Sequence, residues 1–167
     1  MNEASEFLAE RLVGSGGQTD EFFSSIQPAE WQREVYADGE VWRVIQVLAH
    51  LVQAEQSVMR LIEGILAGGE GVPQDFDLDA YNQRKTRQVE QMPPAELLAL
   101  FRARRRLTVE RVGRMTAEDL ARTGRHPFLG LAEVRDMIKL LYRHPQLHQR
   151  DIRRILDSSD RMLDSTG

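Results

Sequence analysis

Four histidines carry the chemistry open to this sequence: His50, His126, His144 and His148. The chain has no cysteine, which excludes thiolate catalysis, disulfides and cysteine-type zinc sites. Any metal ion must therefore rest on His, Asp or Glu. His144 and His148 stand four residues apart in the run HPQLH. Residues at that spacing share one helix face, so both imidazoles can reach a single ion. A third ligand would come from a facing helix, the way metal sites inside helical bundles are built. His50 is the other histidine within a strongly patterned helix, at the edge of its apolar sector beside Val47, Ala54 and Leu61. Taken alone, the pattern fits more simply a solvated histidine pair and a hydrogen-bonded histidine at a core margin. His126, in a loop bounded by Pro127 and Gly130, reads as a surface residue.

The elements that must position these residues are helical. Leu8, Leu12, Thr19, Phe22, Phe23 and Ile26 recur at threes and fours, which predicts a first helix continuous through the GSGG at 14–17. A turn from Pro28 to Tyr36 leads to Gly39. The clearest helix spans 41–66, with Val44, Leu48, Leu51, Val58, Ile62 and Ile65 on its apolar side, and Gly68, Gly69, Gly71 and Pro73 end it. A segment with Asp75, Asp77 and Asp79 precedes a helix from Leu78 to about Glu90. Pro93 and Pro94 start another, which runs to about Met115 with Leu97, Leu98, Phe101, Val109 and Val112 inward. Thr116 and Asp119 have the spacing of a capping box. A loop through His126 and Pro127 reaches Gly130, where the last helix begins and runs to about Asp157. No run alternates as a strand would. The expected fold is all-α, a four-helix bundle with short extra helical turns in the connections.

Composition agrees with a single domain over 1–167. Apolar residues make up 41% of the chain and charged residues 29%, enough for a core and too mixed for wholesale disorder. A net charge of -4 argues against nucleic acid, which selects a basic face. The longest apolar stretch is broken by Arg43, His50, Glu55, Arg60 and Glu63, so it is a buried helix and no membrane span. With an acidic, polar start (MNEASEF) and no signal pattern, the expected location is cytoplasmic.

Several segments in order resemble one family. They are Trp42 at a helix opening, VLAHLVQAE at 47–55, the Asp-rich run leading to Tyr81-Asn82-Gln83, AEDL at 117–120, and HPQLHQRDI at 144–152. Together they resemble the DinB-like family of metal-binding four-helix bundles, also called the YfiT-like fold. The resemblance implies a three-histidine site for zinc, nickel or iron, with His50 as the first ligand and His144 and His148 as the late pair. It also implies a homodimer, and an activity either as a metal-dependent hydrolase or as a transferase acting with a low-molecular-weight thiol on a small-molecule substrate. Two features depart from the family pattern. Arg43 follows Trp42 where Ser or Thr is usual. Pro145 falls between the paired histidines, where a helix-interior proline removes a hydrogen bond, costs about 3 kcal/mol and predicts a kink or a fresh turn.

A three-histidine site with an open position matches catalytic metal centres. The ion could bring the pKa of a coordinated water toward about 7, or ionise a thiol supplied by the substrate. Hydrolysis would want a carboxylate nearby as general base. Asp151, three residues past His148, is the candidate to orient a histidine; an exposed acid paired with an arginine is its plainer reading. Glu133 lies on the same projected face, three turns away, and Glu55 reads as a surface acid. Asn82 and Gln83 either line a pocket or cap the third helix. Arg102, Arg104, Arg105 and Arg106 could draw an anionic substrate but more simply form a solvated face. Trp31, Trp42 and Tyr142 read as aromatics of the core or its margin. The rival to an enzyme is a non-catalytic dimeric bundle or ligand sensor that binds metal incidentally. A catalytic site would need a pocket of about 300 Å³ or more opening onto the ion.

Overall fold

A computed structural model describes the backbone of residues 2–164 and the side chains as far as Ser158; Met1 and 165–167, the ends of the expected 1–167 unit, lie outside the described residues. Helix α1 (Glu3–Ser24) is capped by Asn2, whose side chain accepts the Ala4 N–H, and it runs unbroken through Gly14, Gly16 and Gly17. A short 3-10 turn, Pro28–Glu30, follows. Helix α2 (Val44–Leu66) ends just before the Gly68–Gly69 pair. Asp77 caps α3 (Leu78–Arg87) by accepting the Ala80 N–H. Helix α4 (Pro94–Gly113) starts on its proline. Thr116 and Asp119 exchange both hydrogen bonds of the expected capping box and open α5 (Ala117–Ala121). Helix α6 (Val134–Asp164) closes the chain. Helices α1, α2, α4 and α6 pack together as the bundle. None of the described helices is long and apolar enough to cross a membrane.

Four short strands depart from the strand-free expectation. Strands β1 (Glu34–Tyr36) and β2 (Trp42–Arg43) pair antiparallel, with Tyr36 opposite Trp42. Gly39, at φ +86, supplies the left-handed backbone their turn requires. Strands β3 (Thr123–His126) and β4 (Gly130–Glu133) form a second hairpin. Two to four residues are too few to show alternation in sequence, which is why both ribbons escaped the periodicity. Their pairing moves two boundaries. Trp42 belongs to β2 and α2 begins two residues later, while α6 begins at Val134 because 130–133 is paired as strand.

The core has two apolar layers. One holds Phe22, Phe23, Val44, Leu48, Leu97, Phe101 and Ile152; the other holds Leu8, Leu12, Ile62, Ile65, Val112, Met137, Ile138 and Leu141. Each fully buried side chain of this size stabilises the fold by about 1.5–3 kcal/mol. Between the layers, along each bundle helix, the buried residues turn polar: Ser15 and Thr19, Glu55, Arg105 and Thr108, and Gln149. Arg105 and Glu55, only 4% and 2% exposed, form a two-pronged ion pair at 2.7 and 2.9 Å. Glu55 is thus no surface acid. Arg105 also donates to the carbonyls of Leu12 on α1 and Leu141 on α6, at 3.0 and 2.8 Å.

The Leu141 contact resolves the proline problem. α6 runs as one helix through Pro145, with neither a break nor a fresh start. Proline has no N–H to give the carbonyl four residues back, which is that of Leu141. The Arg105 guanidinium takes that carbonyl instead. Gly16 makes the room, since a Cβ there would stand 3.0 Å from Arg105 Cγ.

Two other arginines of the run are engaged as well, while Arg106 is exposed. Arg104 donates to the Val52 carbonyl and Gln53 Oε1, and Arg102 pairs with Asp20. The run is therefore neither a uniformly solvated face nor a free anion patch.

Candidate metal centre

His50 sits near the start of α2, and His144 and His148 sit either side of Pro145 on α6. The two helices pack so that the three rings meet. Ring centroids are 4.5 to 5.4 Å apart and every pair is edge-on. The Nε2 atoms of His50 and His144 are 3.3 Å apart, and those of His144 and His148 are 2.8 Å apart. One ligand atom from each histidine lies within 4.8 Å of the others, a group that could hold a metal ion. Nitrogens bound tetrahedrally to zinc at about 2.05 Å stand about 3.3 Å apart, which the His50–His144 pair already matches and the His144–His148 pair approaches.

The donors are also in the right charge state. Burial, then the neighbouring His144 and His148, keep His50 well below the ordinary histidine pKa. Burial lowers His144 to about 4, with His126 adding to the effect. Burial and His144 bring His148 down to about 3, against a weaker opposing pull from Asp151. All three rings are thus neutral at pH 7, the form that binds metals. His50 is 7% exposed, whereas His144 and His148 are half-buried.

The surroundings include residues that sequence alone did not single out. Tyr36 of β1 donates its O–H to Asp151 Oδ2 at 2.6 Å and lies 2.7 Å from Nδ1 of His148. Asp151, the expected orienting acid, reaches His148 through this tyrosine. Burial, followed by the hydrogen bond and charge of Asp151, raises the Tyr36 pKa, so the hydroxyl keeps its proton. Trp42, its cross-strand partner, packs edge-on to His50 with centroids 5.0 Å apart. A tyrosine in a three-residue strand, 112 residues from the histidine it touches, gives no local sequence signal.

Other candidates lie elsewhere. His126 is outside the triad and, at 7% exposed, is no surface residue; its Nδ1 accepts the N–H groups of Phe128 and Leu129 and ties the β3–β4 turn. Glu133 is in β4, paired with Arg135, and so leaves the projected helix face. Asn82 and Gln83 are half-buried within α3, whose cap is Asp77. Trp31 stacks on Phe23 at the core margin, and Tyr142 is buried. One cavity of about 890 Å³ lies between α1 and α6, lined by residues including Glu21, Gln149 and Arg153. Another of about 240 Å³ is lined by Val72, Phe76 and His126 among others. Neither is lined by a triad histidine.

The sequence profile of the DinB superfamily matches residues 11–152. YfiT from Bacillus subtilis, described as a probable metal-dependent hydrolase with an unusual four-helix bundle topology, superposes with a TM-score of 0.72 at 18% identity, over 97% of this chain and 89% of that one. The colibactin self-resistance protein ClbS, solved in complex with double-stranded DNA, gives 0.70 at 16% identity over 93% and 95% of the two chains. A mycothiol-dependent maleylpyruvate isomerase gives 0.69 at 14% identity, over 89% of this chain and 60% of that one. At such identities the likeness is one of fold. No curated protein matches the chain in sequence.

Proposed function

This chain belongs to the DinB superfamily, and from that premise we propose that it binds one divalent metal ion on Nε2 of His50, His144 and His148 and works on a small-molecule substrate with a low-molecular-weight thiol. The observation that carries this reading is the convergence of three neutral imidazole nitrogens, supplied by two helices, within 4.8 Å. Zinc, nickel and iron all suit such a donor set. A bound ion would supply Lewis acidity and ionise a thiol or water held at its open coordination position. The chain's own part is to hold the rings. α2 presents His50 with Trp42 against its edge, and α6 presents the pair, with Tyr36 and Asp151 behind His148.

A thiol reaction suits the site better than hydrolysis. Hydrolysis wants a carboxylate close to the ion as general base. The candidate group contains no carboxylate, and Asp151 is engaged by the Tyr36 hydroxyl. Ionising a thiol needs only the ion and an open position. The mycothiol-dependent relative supports this choice, and YfiT supports the hydrolase alternative. A non-catalytic, dimeric metal-binding bundle is the second reading. What favours it is that both cavities described above lie away from the triad.

Elemental analysis of the purified chain tests the metal first, with about one ion per chain expected. Consumption of mycothiol or glutathione in the presence of a reactive electrophile, compared between metal-loaded and chelator-treated protein, then tests the reaction. Metal-dependent turnover of ester or amide substrates without thiol consumption would favour the hydrolase. Metal binding without any turnover would leave the second reading.

The proposal keeps a homodimer, measurable by light scattering, and a cytoplasmic location. It does not keep the exclusion of nucleic acid. That exclusion rested on net charge, and ClbS carries duplex DNA on the same fold. A salt-dependent gel shift with duplex DNA is the direct check.

A further inference from the structure

The Tyr36 hydroxyl has one proton and two neighbours. Asp151 Oδ2 is 2.6 Å away and Nδ1 of His148 is 2.7 Å away. The hydroxyl donates to Asp151 Oδ2, so its single proton is committed there. The tyrosine oxygen then offers His148 nothing but lone pairs. The contact with Nδ1 is a hydrogen bond only if that nitrogen bears the imidazole proton. A neutral imidazole carries one N–H, so Nε2 is left bare. We infer that Tyr36, oriented by Asp151, is a positioning residue that fixes His148 as its Nδ1–H tautomer and so aims an unprotonated Nε2 at the point shared with His50 and His144.

Two observations fit. The 2.8 Å contact between Nε2 of His148 and Nε2 of His144 needs an acceptor on one side, and the fixed tautomer provides it on His148. The Tyr36 ring also lies edge-on to the His148 ring, with centroids 5.6 Å apart, which limits its rotation. The antiparallel ribbon carries Tyr36 and Trp42 opposite each other, so one hairpin braces ligands from both helices. An outer-shell hydrogen bond of this kind sets ligand orientation, and its loss typically costs 10–100-fold in metal affinity. The effect on affinity rests on the metal reading above, whereas the tautomer rests on the hydrogen-bond geometry together with the neutral state of the buried His148 ring.

The test reads the two separately in the full chain. Long-range proton–nitrogen NMR of the metal-free protein near pH 7 should show His148 protonated at Nδ1 and bare at Nε2. Asp151→Ala releases the tyrosine proton toward Nδ1 and should shift His148 toward the Nε2–H form. Asp151→Asn keeps an amide oxygen for Tyr36 and should retain the wild-type tautomer. Tyr36→Phe keeps the ring and loses the hydroxyl, so the signals should become those of a tautomer mixture. Zinc affinity, measured against a competing chelator, should fall about 10–100-fold in Tyr36→Phe and Asp151→Ala with unchanged stoichiometry. Circular dichroism melts check that each variant is folded, and the Asp151 pair decides the matter if Tyr36→Phe does not fold. A wild-type His148 protonated at Nε2, or tautomers unmoved in both Tyr36→Phe and Asp151→Ala, overturns the inference. A wild-type chain that takes up no zinc overturns the metal reading instead, and the tautomer signals still judge Tyr36.

Discussion

At position 148, replacing the imidazole with alanine removes one of three donors and leaves two on separate helices. His148→Ala is expected to purify with less than a tenth of the wild-type metal content by elemental analysis, while folding normally because the ring is half-buried. Acid should act on the same group. The folded-state pKa of His144 is about 4 and that of His148 about 3, both below the roughly 6.5 of an unfolded chain. On acidification the unfolded state takes up protons first. The stability that goes with the neutral rings is therefore complete above about pH 6.5 and drains away as pH falls toward the folded-state values. The melting temperature of metal-free protein should drop across that window, and the drop should be shallower in His148→Ala. A flat profile would contradict the burial assigned to the triad. The histidines were legible in sequence because only four exist and two stand at helical spacing. Tyr36 was not, since its role depends on a contact made across the fold. Glu55 and Arg105 were misread because charged residues default to solvent. A signal was nonetheless present: Arg105 continues the inward series Phe101, Thr108 and Val112, and Glu55 continues Leu48, Val52 and Ile62.

Among the elements, α6 is the one whose behaviour runs against simple expectation. Pro145 should break it, yet Arg105 occupies the carbonyl that the proline leaves without a partner. Restoring the N–H by Pro145→Ala makes the backbone compete with the guanidinium for the same oxygen. The expected gain is about 1 kcal/mol or less, far short of the roughly 3 kcal/mol by which an interior proline usually destabilises a helix. In an Arg105→Met background the carbonyl is free, and Pro145→Ala should stabilise by more. Chemical denaturation of the four proteins in this double-mutant cycle measures the coupling. Additive effects would mean that the arginine does not replace the missing donor. The long helices were readable because apolar residues at threes and fours mark a buried face over many turns. The ribbons were not, since strands this short are specified by their partners more than by their own sequence.

On the scale of the whole molecule, the buried pair between the two apolar layers governs stability. Arg105→Met alone strands a carboxylate, and Glu55→Leu alone strands a guanidinium. Each should cost about 3–5 kcal/mol by denaturant unfolding, while the double substitution should cost much less because no unpaired charge remains. The bundle class was visible from patterning. The polar middle layer was not, because it depends on four helices contributing at one level. That layer matters for the candidate centre too. Arg105 bonds Glu55, five residues beyond His50, and the Leu141 carbonyl, three residues before His144.

The distance along the chain between the meeting groups has a last consequence. His50 and His144 are 94 residues apart, and Tyr36 and Asp151 are 115 apart. Such a constellation exists only once nearly the entire polypeptide has collapsed. An extended chain offers the ion isolated imidazoles and little else, so capture should follow folding and lend it no help. Added zinc should raise the melting temperature in step with the logarithm of its concentration once above the dissociation constant. In stopped-flow experiments it should slow escape from the native state and leave the refolding rate untouched.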